Sequence, residues 1–410
     1  MSGYLSSLLG GLKRLQGGGR GKILIAIAAG WGVTIGARAI YPVILPQLRE
    51  SYELTHTGAG VLLTVLFAAY AIGQLPGGVL ADRIGERKTL TISLVLSAAA
   101  LGLVVVSRSA LVLFALTGVF GFGVGFYAIA RFTAIATIYP DRYGTAIGIS
   151  NSAPEVGQAV FPPIAGLLAV AIGWEFGLGF SIPVFLVIAA ALWMTLPKRP
   201  PEKRSAVDTI TLETGRYVFS QLRNPPVVLA TLVLVLGVFV WQAFVGFYPT
   251  YLIEAKGISP TVASLLFGLY FAATAFVHPI SGLIYDRWDV RYTFAIVAIS
   301  VPALAGLTLV DGVWALAILS VVLGTLLAYE TSTESYLVNA LPSDVEGTGF
   351  GILRTLVFTI GSVSPILFGI AADLDRFDEM FILLAILTLA TVILAAFLPV
   401  VGRSAPETAA

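Results

Sequence analysis

The chain has 410 residues, of which 57% are hydrophobic and 11% charged, with a formal net charge of +1 and a mean hydropathy of +0.93. Soluble domains carry about 25% charged residues, so this composition cannot cover a water-facing surface, and the near-zero charge excludes a global field for nucleic acid. Cysteine is absent and only His56 and His278 are present, which excludes disulfides, thiolate chemistry and a zinc cluster; no metal and no cofactor is expected.

In chain order, residues 1–22 set Lys13, Arg14, Arg20 and Lys22 beside Leu5, Leu8, Leu9, Leu12 and Leu15, the composition of an amphipathic surface segment or, given the glycines, of a disordered tail. The first apolar run, at about 25 residues, exceeds a signal-peptide core of roughly 7 to 15 and is expected to be retained. Spans are predicted over 23–48, 58–80, 89–107, 110–138, 144–171, 176–196, 225–252, 260–284, 292–309, 313–340, 346–371 and 379–400. Each can cross a hydrocarbon core of about 30 Å. The side holding the termini carries 17 lysines and arginines, against Arg49, Arg108, Lys256 and Arg376 on the other, so both termini are expected in the cytoplasm of a multi-pass cell-membrane protein. A basic linker, 197–224, separates a six-helix bundle (23–196) from a second one (225–402), followed by a tail (403–410). Trp174, Trp288 and Trp314 fall at span ends, where the headgroup layer suits them.

The halves repeat one another. Gly78 and Asp82-Arg83 recur 204 residues later as Gly282 and Asp286-Arg287, and Gly144-Thr145, Gly148, Pro162 and Gly166 recur at a shift of 203 as Gly347-Thr348, Gly351, Pro365 and Gly369. The expected fold is an all-α membrane protein of two six-helix bundles related by a pseudo-two-fold axis, with a site near the midplane between them.

The loop after the second span reads Gly77-Gly78-Val79-Leu80-Ala81-Asp82-Arg83-Ile84-Gly85-Glu86-Arg87-Lys88. Together with its degenerate second copy, the twelve spans and the central linker, it resembles the signature loop of the major facilitator superfamily. The resemblance covers essentially the whole chain. It implies a monomeric secondary transporter working by alternating access, and a cytoplasmic latch of Gly78, Asp82, Arg83, Gly85 and Arg87, joined by Asp286 and Arg287. Gly78 is read as the point of close helix approach and Gly85 as the turn. Glu86 replaces the basic residue usual in the family, and the same charges also satisfy the positive-inside rule alone. In span 5, Gly148, Gly157, Pro162 and Gly166 match the drug-antiporter branch, but Phe161 and Ala165 stand where that branch has glycines. In span 4, Thr117 takes the place of the proton-linked arginine.

An ionisable group at membrane depth costs a few kcal/mol or more, which makes each one a functional hypothesis. Arg38 in span 1 has no acidic residue in its own span and is read as the holder of a carboxylate or phosphate, or else as a structural partner of Glu155 or Glu330. Arg131 in span 4, Glu334 in span 10 and Arg354 in span 11 are expected to form an ion-pair set, Arg131 with Glu155 or Glu334 and Glu334 with Arg354. Glu330 and Glu334, four apart, share a helix face, so one of them can carry a proton; Glu155 is the competing proton site. Pro154 is expected to break its helix, and His278 is read as a relay or as a hydrogen-bonded core residue. Arginines in spans 1 and 4 resemble the anion:cation symporter branch, which takes up organic anions with protons. Tyr41, Tyr70, Tyr127, Trp241, Tyr248, Tyr270 and Tyr329 are candidate pocket aromatics that can equally just pack. The expected partners are therefore a small organic anion, protons and the lipid bilayer. The rivals are a proton-driven exporter of amphipathic drugs and, from another class, an intramembrane enzyme or receptor, for which no catalytic motif is present.

Overall fold

A chain crossing hydrocarbon must satisfy its backbone N–H and C=O groups internally, and helix does this within each segment. The computed structural model describes residues 20–198, 224–341 and 346–399, and within them no strand occurs. Most of the predicted N-terminal segment, linker and C-terminal tail lies outside the described residues. Twelve helices are long and apolar enough to cross a membrane. They are α1 (Gly21–Tyr52), α2 (His56–Ile84), α3 (Glu86–Val106), α4 (Ala110–Ile138), α5 (Tyr143–Ile172), α6 (Trp174–Thr195), α7 (Pro225–Glu254), α8 (Pro260–Tyr285), α9 (Val290–Leu309), α10 (Val313–Ala340), α11 (Phe350–Asp373) and α12 (Phe377–Ala396). All twelve overlap the predicted spans, and several run a few residues further because polar ends such as Arg49 and Asp82 still continue the helix.

Lipid tails are as apolar as leucine, so membrane helices associate through close backbone packing at small residues. A Cβ at Gly77 would stand 2.5 Å from the Phe126 Cα, and one at Gly73 would stand 2.5 Å from the Phe122 carbonyl oxygen, which fixes α2 against α4. The close approach is thus made by Gly77; Gly78, predicted for that role, meets only a methyl of Ile129. The same device joins the two bundles: a Cβ at Gly60 would run into the Pro365 carbonyl, and one at Gly369 into the His56 carbonyl.

Equivalent helices make equivalent contacts. The Tyr127 ring of α4 covers Gly30 of α1, and the Tyr329 ring of α10 covers Gly237 of α7. Thr117 of α4 donates to the Tyr41 hydroxyl of α1 (3.2 Å), while Ser320 of α10 meets the Tyr248 hydroxyl of α7 (2.7 Å). Both tyrosines precede a proline, Pro42 and Pro249.

Helix interruptions mark where side chains reach the interior. The helical pattern of α1 is broken at Ala39, directly after Arg38. Pro42 has no N–H to offer the Arg38 carbonyl, which accounts for the break. α11 breaks at 362–363, because Pro365 leaves the Gly361 carbonyl without its amide. α5 is different. It holds Pro154, Pro162 and Pro163 yet runs unbroken from Tyr143 to Ile172, so the expected break at Pro154 does not occur.

The two ends of the molecule differ. At the end opposite the termini, hereafter the far end, α2 packs directly on α11 as described. At the termini end a Cβ on Gly144, Gly148 or Gly351 would meet nothing within 4 Å among the described residues. Among these residues the bundles are therefore in contact at the far end and open around these glycines at the other. Trp314 (85% exposed) and Trp288 (58%) face outward as expected, but Trp174 is buried, donating to Ser51 Oγ at 2.9 Å.

Candidate functional site

Arg38 lies 17 residues from Gly21, about 26 Å along the helix at 1.5 Å per residue, and is 6% exposed. Its guanidinium carbon stands 4.7 Å from the Tyr70 ring centroid, 5.6 Å from Phe67 and 5.7 Å from Trp241. Two of these rings come from α2 and one from α7, so the cation is held between the bundles by aromatic faces. Among the described residues it makes no hydrogen bond and has no carboxylate within 4.0 Å. The alternative of a structural pair with Glu155 or Glu330 is therefore not what the structure contains.

Arg38 borders a small cavity of about 10 Å³, room for about one water, lined by Ala39 and Pro42 of α1, Phe67 of α2, Gln158 of α5, Trp241 and Val245 of α7, and Phe267 and Phe271 of α8. The lining is apolar apart from the guanidinium, the Gln158 amide and the indole N–H of Trp241. Such a site offers fixed donors at one point and flat hydrophobic walls elsewhere.

Of the aromatics singled out in the sequence, Trp241 stands at this cavity. Tyr41 packs on Phe120 (5.8 Å) with its hydroxyl taken by Thr117, and Tyr248 packs on Phe244 (4.7 Å) with its hydroxyl on Ser320. Tyr329 is fully buried against Gly237. Phe67, Gln158, Phe267 and Phe271 were not singled out; the lone amide of Gln158 inside an apolar helix was the available signal.

Toward the termini end, Arg354 Nε donates to Glu334 at 2.8 Å, its Nη2 lies 3.7 Å from Glu330, and its Nη1 reaches Gln74 of the first bundle at 3.3 Å. Arg131 differs from the expectation that it pairs with Glu155 or Glu334. It donates to Ser150 (3.0 Å) and Asn151 (2.9 Å) and stacks on Trp31 (4.5 Å) and Phe132 (4.1 Å). Arg131–Asn151 and Glu334–Arg354 occupy equivalent positions, so the repeat preserves the α4–α5 and α10–α11 contact while exchanging its charges. Glu155 reaches across the bundles, accepting from Thr274 (2.6 Å) and lying 3.6 Å from His278, whose other ring nitrogen meets Thr331 at 3.0 Å.

In the loop of the sequence motif, Gly85 has φ +87°, the left-handed side that glycine tolerates, and its N–H closes α2 onto the Ala81 carbonyl at 2.9 Å. The Arg87 guanidinium lies 4.2 Å from the Trp193 ring, Glu86 accepts from Thr137 at 3.5 Å, and Asp82 is engaged. Arg83 is exposed, Arg287 lies over Trp288 (5.7 Å), and the Asp286 side chain lies outside the described residues. A far-end cluster of Arg49, His56, Glu254 and Asp373 was not foreseen: Arg49 meets Glu254 at 2.6 Å, and the His56 ring lies 2.7 Å from Glu254 and 2.9 Å from Asp373.

The family model described as Major Facilitator Superfamily matches residues 24–259 and 239–410. The chain is 25% identical over 358 residues to a hexuronate transporter of Bacillus subtilis, covering 82% of this chain and 84% of that one. It is 24% identical over 387 residues to a protein of Escherichia coli described as a probable galactarate/D-glucarate transporter, covering 82% and 83%. The crystal structure of a D-xylose–proton symporter superposes with a TM-score of 0.76 at 15% identity, covering 92% of this chain and 98% of the other. With the family model spanning both halves and twelve membrane-length helices in place, the chain belongs to the Major Facilitator Superfamily and is a multi-pass membrane transporter.

Proposed function

We propose that this transporter moves a small organic anion across the cell membrane by alternating access, with both termini in the cytoplasm and protons as the coupling ion. Arg38 is the anion holder. One observation carries this reading: a guanidinium buried at mid-depth on the seam of the bundles, opening into a cavity, with no carboxylate of the described residues within 4.0 Å of it. A charge in that setting is stabilised by a carboxylate accepting two parallel N–H bonds, and the aromatic walls around it suit the body of a small organic acid. The relatives named for hexuronate and for galactarate/D-glucarate support the same chemistry. The charge bias of the loops supports cytoplasmic termini, under which the molecule is sealed outside and parted inside.

Glu155 is the first choice of proton carrier, with Glu330 second, because Glu155 touches the opposite bundle through Thr274 and His278. Its protonation alters that contact directly. Export of amphipathic drugs is the second reading, favoured by the aromatic share of the cavity lining. Uptake of labelled hexuronate and galactarate into proteoliposomes, with and without an imposed inward pH gradient, separates them. Gradient-driven uptake inhibited by organic acids and indifferent to neutral or cationic drugs is the expected result. Competition by drugs with no response to acids overturns the anion reading, and equal flux with and without the gradient overturns coupling.

A further inference from the structure

At the far end α1, α7 and α11 finish and α2 begins in a single polar cluster that joins the two bundles, and its hydrogen bonds can be counted. Asp373 receives four donors. Oδ1 accepts from the His56 amide (2.8 Å) and from His56 Nδ1 (2.9 Å), and Oδ2 accepts from the Thr57 amide (2.9 Å) and Thr57 Oγ1 (2.6 Å). The two amides belong to the first turn of α2, where N–H groups lack intrahelical partners and the helix dipole favours an anion. With the other three donors committed to the carboxylate, His56 Nδ1 and Asp373 Oδ1 can meet at 2.9 Å only with a hydrogen between them.

That leaves His56 Nε2, 2.7 Å from Glu254 Oε2, while the other Glu254 oxygen accepts from Arg49 Nη1 at 2.6 Å. A neutral imidazole has one N–H, and Asp373 has already claimed it. The Nε2–Oε2 contact therefore requires one more proton, completing an imidazolium or sitting on the Glu254 carboxyl. The total is the same either way. Among the described residues no other titratable group contacts the ring: α12 contributes the Phe377 edge at 5.4 Å, and the next residue, Asp378, is taken by the Tyr251 hydroxyl at 2.6 Å.

We propose that the far-end seal is a proton-binding site, filled by one proton when the bundles meet there and emptied when they part. Parted, the ring and the two carboxylates face water separately, with no second acceptor to hold the shared proton. The sealed form then holds one proton more than the open form, and acid favours sealing: by linkage the ratio of sealed to open molecules rises by up to about tenfold for each unit of pH lowered. Because the site spans the mouth rather than the cavity, it acts without substrate and does not depend on which anion is carried.

The natural absence of cysteine allows a direct test. Arg108→Cys in the loop before α4 and Trp314→Cys at the start of α10 are both exposed, at the far end of opposite bundles. Spin labels on the pair report the far-end distance in nanodiscs by double electron–electron resonance at pH 8, 7.25 and 6.5. The expected result is a sealed-to-open ratio that grows tenfold or more across this range. With His56→Gln added, the ratio changes less than about twofold. Glu254→Gln, whose amide N–H serves a neutral Nε2, stays sealed throughout. A parent pair whose distances ignore pH overturns the proposal, as does His56→Gln with the parent slope or Glu254→Gln that opens at pH 8 like the parent.

Discussion

Replacing Arg38 with methionine tests the anion site and its energetics at once. A carboxylate held by two charge-assisted hydrogen bonds in a desolvated site loses about 2 to 5 kcal/mol when its partner is truncated, which corresponds to roughly 30- to 4000-fold in dissociation constant. The effect on folding has the opposite sign. Among the described residues Arg38 makes no direct ion pair and is held by three aromatic faces, worth about 0.5 to 2 kcal/mol each, against a burial penalty of several kcal/mol for an ion without a contact partner. Arg38→Met is therefore expected to melt at the same temperature as the parent or higher. Arg38→Lys keeps the charge without the planar fork and is expected to lose about tenfold in affinity. Isothermal titration with galacturonate and galactarate, beside thermal unfolding in the same detergent, gives both numbers. Binding within threefold of the parent would refute the anion site; a large fall in melting temperature would mean that the guanidinium is a structural partner after all.

Arg354→Gln leaves Glu334 and Glu330 facing each other without a cation; side chains 19–24% exposed soften the penalty, so about 2 kcal/mol of stability is expected to be lost, and Glu334→Gln in the same chain is expected to restore most of it in thermal unfolding. Gly77→Ala drives a methyl into Phe126 and is expected to cost about 1 to 3 kcal/mol, whereas Gly148→Ala, with open space around it, is expected to unfold within about 0.5 kcal/mol of the parent. Glu155→Gln is expected to bind anion within a few-fold of the parent while its proteoliposome uptake no longer responds to a pH gradient; a retained response would move the carrier to Glu330.

The spans were legible because each needs an apolar run that only helix can satisfy, and the observed helices depart from the predicted ones mainly at polar ends. Arg38 was legible as a cation with no neighbour of opposite charge, but its aromatic surroundings were not, since Phe67, Tyr70 and Trp241 come from helices whose rotation no single-helix pattern fixes. The same limit explains Arg131. Its partners Ser150 and Asn151 stand where the second half has Leu353 and Arg354, so the repeat pointed to the correct helix pair while the charge argument pointed to the wrong partner. Pro154 does not break α5, whose Gly157 lies hard against the Gly32 and Gly36 backbone of α1 and so stays in register. The far-end cluster was hidden for another reason. Arg49, His56, Glu254 and Asp373 each sit at a helix end, where a charge is unremarkable, and His56 and Asp373 alone are 317 residues apart.

The rings that clasp Arg38 come from both bundles, and this bears on slippage. Closing every exit around a vacant cavity would strand a bare cation away from water, at a cost of several kcal/mol; a bound anion cancels it. If Arg38 holds the anion as proposed, an unladen molecule is expected to idle with one mouth hydrated, and the fully enclosed intermediate to belong to the laden one. The charge proposed to recognise the cargo then also discourages the protein from turning over without it.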